Sequence, residues 1–267
     1  MTLNLVEALA FARMIAGETA QFLIPGAGRG TADVKADGSY VTQFDLASDK
    51  RLTAAIRARY PKHAILSEEE NKVFHGDEWT WILDPIDGTT NYTWGYPLWG
   101  VLIGLLHNGV PVLGVADFPL SGEQFYACIG QGAWCNERPI KASPATTINP
   151  LHIFGVCSRL AERTKFPIQA KARIAGSSAY DMAKLADGTY VGLFNYSVAV
   201  WDVAALWPLV TEAGAICATS LHDRSFGLTT GADYGDSSVS KFSIYGGCSE
   251  QVFDSARTSI DEALATS

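Results

Sequence analysis

The stretch Trp81-Ile82-Leu83-Asp84-Pro85-Ile86-Asp87-Gly88-Thr89-Thr90-Asn91-Tyr92 constrains this chain more than any other. A short apolar run reads as a buried strand, and here it leads straight into two aspartates three residues apart. Carboxylates at such a junction are held by rigid backbone yet stay within reach of solvent, where functional groups gather. Pro85 fixes its own φ and biases Asp84 toward extended backbone, so the strand is predicted over Trp79 to Leu83 with Asp84 at its end. The following turn can then fold Asp87 and the Ile86 carbonyl toward Asp84. Gly88 permits close approach of backbone to a ligand. A helical turn starting near Thr89 would add free N–H groups suited to an anion. Acids and an anion site side by side make sense when hard divalent cations bridge them. The plainer reading, a solvated Asp-Gly turn, accounts for Gly88 but not for the cluster around it. An EF-hand loop fails, because Ile86 and Gly95 would fall at its third and twelfth positions.

The 267 residues carry a formal charge of −8, from 20 Lys and Arg against 28 Asp and Glu. That balance argues against a nucleic-acid partner, while metal ions would still permit a small anion. With 48% hydrophobic residues the chain can bury a substantial core, as one large domain or two moderate ones. The five cysteines form no CxxC, as expected of a reducing compartment. Glu7, Arg13 and Glu18 interrupt the first apolar segment, which predicts neither signal peptide nor membrane span. The cytoplasm is the expected location.

Apolar spacing predicts a helix from about Leu5 to Leu23, with Asn4 and Glu7 as a capping box. Lys35 to Tyr40 reads as a turn, and a second helix is expected from about Asp45 to Arg59. Strands are predicted at Ala64 to Ser67, Leu98 to Leu106, Val110 to Phe118 and Gln124 to Ile129, with His107-Asn108-Gly109 as a hairpin turn. Gly130 to Ile140 reads as a loop with one short strand inside. Polar, proline-containing 142–150 divides the chain, giving an α+β half at 1–142 and an α/β half at 143–267. In the second half, strands are expected at 152–157, 190–194, 216–218, 227–229 and 242–245. Helices are expected at 178–187, 202–213 and 249–264, the middle one kinked or split by Pro208.

Three other acidic positions lie at element junctions: Asp45, Glu68 and Asp202. Each has an ordinary alternative, since Asp45 and Asp202 can cap helices and Glu68-Glu69-Glu70 can be a charged surface edge. The five histidines lack paired metal-ligand spacing, and there is no nucleophile elbow or P-loop. The glycines at 26, 28 and 30 follow no strand, so a dinucleotide fingerprint is unsupported.

Taken together, these motifs resemble the inositol monophosphatase family, a group of Mg2+-dependent, lithium-sensitive phosphatases. Trp81 to Tyr92 resembles its first signature and 201–215, WDVAALWPLVTEAGA, its second. VTQFD at 41–45, SEEE at 67–70 and GQGAWCN at 130–136 are similar to smaller family stretches, in matching order. The resemblance implies a layered αβαβα sandwich, the sugar-phosphatase fold, commonly a homodimer. It implies two or three Mg2+ ions per site, with Mn2+ as a substitute, held by Glu68, Asp84, the Ile86 carbonyl, Asp87 and Asp202. It further implies that Asp45 and Thr89 position the attacking water, with Glu69 in the layer behind. Gly88 and Thr89 amides would hold phosphate, and Asp87, Asn195 and Ser178 would meet the alcohol.

The implied activity is phosphomonoester hydrolysis by in-line attack of water, with myo-inositol 1-phosphate as the leading substrate. Asn195 replaces a glutamate of the animal enzymes, and an amide both donates and accepts. Part of the second signature is similar to histidinol phosphatases, which makes histidinol phosphate the alternative. Adenosine 3′,5′-bisphosphate and fructose 1,6-bisphosphate follow, and a regulatory binding protein of the same fold is the non-enzyme alternative. The segment from Glu70 to Trp79 is shorter than in many members, which predicts weaker lithium or third-metal effects.

Overall fold

The computed structural model describes residues 3–29, 32–34, 40–236 and 241–266, so most of the turn expected at Lys35 to Tyr40 lies outside the described residues. The first helix, α1 (Leu5–Leu23), buries Ala8, Ala12, Ile15, Ala16, Thr19, Ala20 and Leu23. That spacing gives one apolar stripe. The Asn4 carboxamide caps it by accepting from the amides of Val6 and Glu7, and its own NH2 donates to the Glu7 carboxylate at 2.9 Å. A small ladder of β1 (Ala32–Val34) and β2 (Tyr40–Thr42) leads into α2 (Gln43–Arg59). Thr42, not Asp45, caps α2. Asp45 sits one turn inside and returns a bond to the Thr42 backbone amide, because a capping box needs an acceptor there.

A seven-stranded sheet follows, in the order β3 (Ala64–Ser67), β4 (Trp79–Asp87), β5 (Gly100–His107), β6 (Val110–Phe118), β7 (Glu123–Cys128), β8 (Ala133–Cys135) and β9 (Arg138–Ile140). The helix α3 (Thr89–Trp94) interrupts the run after β4. Asn108 and Gly109 both have positive φ, 50° and 80°, forming the tight hairpin that joins β5 to β6. Side chains alternate across this sheet. Trp81, Leu83, Val101 and Ile103 pack with α1 and α2, whereas Ile82, Leu102 and Leu106 belong to the core on the other face. The stretch 130–140 contributes two paired strands where one was expected.

The second sheet has the order β11 (Lys171–Arg173), β10 (Ile153–Val156), β12 (Gly192–Val198), β14 (Phe242–Gly247) and β13 (Ile216–Thr219). The short helix α4 (Ser158–Arg163) and strand β11 were not foreseen. No strand forms at 227–229. There the Leu228 amide bonds the Gly109 carbonyl at 2.9 Å and the Thr229 amide bonds the Tyr234 hydroxyl at 2.8 Å, so these donors are taken by turns.

Between the sheets lie α5 (Ser178–Ala186), α6 (Val200–Ala204) and α7 (Leu206–Glu212). The single helix expected at 202–213 is split at Ala205. Pro208 has no N–H to bond the Ala204 carbonyl, so the ladder breaks one turn before it. The break packs directly on β6: a Cβ at Gly114 would meet the Ala205 carbonyl oxygen at 1.7 Å, so only glycine fits. The last helix, α8 (Glu250–Ala265), lies against β12, β13 and β14 through Val252, Phe253, Ala256 and Ile260. The layers therefore run helix, sheet, helix, sheet, helix, as the sequence resemblance implied.

Candidate active site

Asp84 does not end its strand. β4 continues to Asp87, and its register against β5 shifts between Asp84, opposite Leu102, and Asp87, opposite Gly100. Pro85 cannot donate to the ladder, and the irregularity falls around it. Its effect is to aim both aspartates at one place. Asp84 and Asp87 are buried, Asp202 is half-buried, and one carboxylate oxygen from each lies within 4.8 Å of the others.

Asp202 reaches this point from α6, where it accepts the Ala199 backbone amide at 2.9 Å. Like Asp45 it stands at the third helical position, not at the cap. The tight contact of the α6–α7 junction with the first sheet brings the acid of the second half against those of the first.

The three acids open onto a cavity of about 300 Å³ whose wall includes Glu68, Ile86, Gly88, Thr89, Ser178 and Asn195. Glu68 follows β3, with its amide on the Leu83 carbonyl at 3.2 Å. Glu69 is half-buried on the same turn but does not line this cavity, and Asp45 stands behind Thr89. The Thr89 hydroxyl lies 3.4 Å from Asp45 and 3.1 Å from the Ile86 carbonyl. A second Asp45 oxygen is held by Thr42. Gly88 has φ 80°, and a Cβ there would approach the Leu98 carbonyl at 3.1 Å, so glycine is needed at the start of α3.

Two further residues were not found from the sequence. Ser177, the cap of α5, donates a hydrogen bond to Asp87 while accepting the Tyr180 amide at 3.0 Å. The Gly-Ser-Ser run before a helix was the available signal, whereas the resemblance implied the neighbouring Ser178. Asp181 is buried behind Asn195 and accepts its carboxamide NH2 at 3.0 Å.

The electrostatics are dominated by burial and by like charges close together. Burial pushes Asp84 well above the usual carboxylate range, and the nearby charges of Glu68, Asp87, Asp202 and Asp45 add to it. Burial and Asp202 also raise Asp87, against the lowering effect of the Ser177 hydrogen bond. Asp202 is pushed up to about 6 by burial; the Ala199 amide restrains it, Glu68 adds to the rise, and Lys241 opposes it. Like charges this close, in low dielectric, call for a cation. An all-oxygen donor set suits a hard ion such as Mg2+ or Mn2+. The residues therefore fit a divalent metal.

The comparisons with known proteins agree. An inositol-1-monophosphatase of Synechocystis is 34% identical over 208 residues, 73% of this chain and 71% of that protein. A Nus factor SuhB of Pasteurella multocida is 32% identical over 209 residues, 74% of this chain and 78% of that protein. The solved structure of a Thermotoga maritima IMPase superposes with a TM-score of 0.83 at 24% identity, covering 97% of this chain and 99% of that one. With the inositol monophosphatase family model matching residues 5–240, and the fold and acidic cluster already described, this chain belongs to that family.

Proposed function

We propose that this protein is a Mg2+-dependent phosphomonoesterase acting on a small phosphorylated alcohol, with myo-inositol 1-phosphate as the leading substrate. The observation that carries the reading is the meeting of Asp84, Asp87 and Asp202 within 4.8 Å on the wall of one cavity. Glu68, the Ile86 carbonyl and these three acids would hold the metal. When bound, Mg2+ supplies Lewis-acid charge, which acidifies water and neutralises phosphoryl oxygens.

The protein's own groups would do the rest. Thr89 has one hydroxyl proton and two acceptors in range, Asp45 and the Ile86 carbonyl. Turned to Asp45, it leaves the carbonyl available to a cation and its own oxygen available to accept from water. Asp45 thus acts through Thr89, orienting the attacking water for in-line displacement. The Gly88 and Thr89 amides, at a helix start where N–H groups lack helical partners, would hold phosphoryl oxygens. Ser177 fixes the Asp87 rotamer. Asp87, Asn195 and Ser178 would face the alcohol, and Glu69 would support Glu68 from behind. Two metal ions, a homodimer and a cytoplasmic location are part of the same proposal. No helix among the described residues is long and apolar enough to cross a membrane.

The test is phosphate release from inositol 1-phosphate, histidinol phosphate, fructose 1,6-bisphosphate and adenosine 3′,5′-bisphosphate, with and without Mg2+. The expected result is metal-dependent release with the highest kcat/KM on inositol 1-phosphate. Preference for histidinol phosphate or a bisphosphate would replace the substrate, and no release from any of them would overturn the enzymatic reading. A relative bearing the name Nus factor SuhB makes a regulatory binding role the second reading, which that last outcome would favour.

A further inference from the structure

Asn195 is the cavity residue whose chemistry the sequence left open, because an amide presents a donor at one end and an acceptor at the other. The structure places a buried partner behind it. Asp181 on α5 is 1% exposed, Asn195 on β12 is also 1% exposed, and the Asn195 NH2 donates to Asp181 Oδ2 at 3.0 Å. The other Asp181 oxygen, Oδ1, has no hydrogen-bond partner among the described residues, so the Asn195 amide is the only side-chain donor shown on this carboxyl. Asp181 cannot retreat easily: a Cβ on Gly155 would lie 3.1 Å from its carboxyl carbon and 2.9 Å from the Tyr190 ring, so β10 presses on it without a side chain between.

We propose that Asp181 is a positioning residue that pins the Asn195 carboxamide with its NH2 turned inward. The amide carbonyl then faces the cavity, and the site selects leaving alcohols that carry a hydrogen-bond donor, a hydroxyl or an amine, at that point. This rests on the phosphatase reading above and deepens it. An acceptor-only group there, such as a second phosphate, would meet the lone pairs of a carbonyl and is disfavoured. A buried polar pair of this kind discriminates strongly, because a substrate lacking the donor leaves a desolvated acceptor unpaired.

The experiment uses the full chain with Mg2+ and two substrates, inositol 1-phosphate and p-nitrophenyl phosphate, whose aryl group has no donor. The readout is the ratio of their kcat/KM values. Asp181→Leu and Asn195→Leu are each expected to lower that ratio about tenfold, mainly through KM on the polyol substrate, and the double variant is expected to lower it no further. Asp181→Asn keeps a carbonyl acceptor and is expected to restore most of the ratio. Equal losses on both substrates, or additive losses in the double variant, would overturn the proposal in favour of a merely structural Asp181.

A second arm needs neither activity nor a folded Asp181→Leu variant. The side-chain NH2 signal of Asn195, assigned by its disappearance in Asn195→Leu, is expected to exchange slowly with solvent in the wild-type protein. Fast exchange would show that the amide is not pinned and would overturn the proposal. Failure of the phosphatase reading has a different signature: no phosphate from either substrate, whatever the NMR result.

Discussion

Two clusters of buried charge in this molecule are built on opposite plans. Around Lys184, on α5, one ammonium lies between the carboxylates of Glu123 and Asp187, the latter at 3.0 Å. It also lies 5.2 Å from the centroids of the Phe125 and Tyr180 rings. Burial alone would lower its pKa, but the two carboxylates outweigh that and hold it well above the usual lysine value. Among the described residues no side-chain cation is shown bonded to Asp84, Asp87 or Asp202; the charge of Lys241 only opposes the rise of Asp202, and all three acids are raised. The first cluster is satisfied from within the chain and needs nothing further. The second keeps its acids raised among the described residues, which is why it reads as a site and the first as structure.

The comparison breaks most visibly if the acids are removed one at a time. Asp84→Asn is expected to reduce Mg2+-dependent phosphate release by about 10²-fold or more, with the far-UV circular dichroism unchanged. An active, folded variant would remove Asp84 from the centre of the proposal. At the satisfied cluster the expectation is inverted. Lys184→Met strands two carboxylates and is expected to destabilise the protein by about 3 kcal/mol in urea melts, while the Mg2+ dependence of the remaining activity stays that of the wild type.

Metal binding should separate the clusters thermodynamically. Mg2+ at about 100 times its Kd is expected to stabilise the wild type by about 2.7 kcal/mol, an increase that Asp84→Asn should largely lose and Lys184→Met should keep. Melting temperatures with Mg2+ and with chelator check this.

The pH dependence has a definite sign. The site aspartates are raised in the fold, Asp202 to about 6, and Asp181 rises to about 8 through burial. A raised carboxyl pKa means that the fold prefers the protonated form. Their contribution is complete below the unfolded value of about 4 and is lost as pH rises through the folded values. Chelated protein is therefore expected to lose stability between about pH 4 and 8 from these groups, and Mg2+ should remove the part belonging to the site. Urea titrations at several pH values would show it; an Mg2+ effect independent of pH would count against the assignment.

The smallest effect is expected where charge is exposed. Arg224 pairs with Glu250 at 2.6 Å, but both side chains are largely in solvent. Glu250→Gln should leave the urea midpoint essentially unchanged, and a clear shift would mean that exposure is a poor guide to which clusters matter.

Local chemistry made much of this legible in advance. The first helix, the β5–β6 hairpin and the Asp84 to Thr89 cluster follow from spacing, turn residues and backbone restriction, which operate within a few neighbours. The strand expected at 227–229 failed because its donors bond the Gly109 carbonyl and the Tyr234 hydroxyl. A distant turn outcompeted local preference. Asp45 and Asp202, possible caps by sequence, stand instead at the third position of their helices, because which residue caps depends on where the preceding chain comes from.

The sequence by itself determined which acids exist, that Asp84 and Asp87 would flank the Pro85 irregularity three residues apart, and that Gly88 would leave room beside them. Side-chain type and short-range backbone sterics suffice for that. Only the tertiary structure decided that Asp202 would join them, that Ser177 would hold Asp87, and that Asp181 would stand behind Asn195. Those outcomes depend on two sheets packing across the helices between them, with Gly114 admitting the Ala205 carbonyl. Contacts between residues far apart in sequence are fixed by the whole core at once, and no local stretch encodes them.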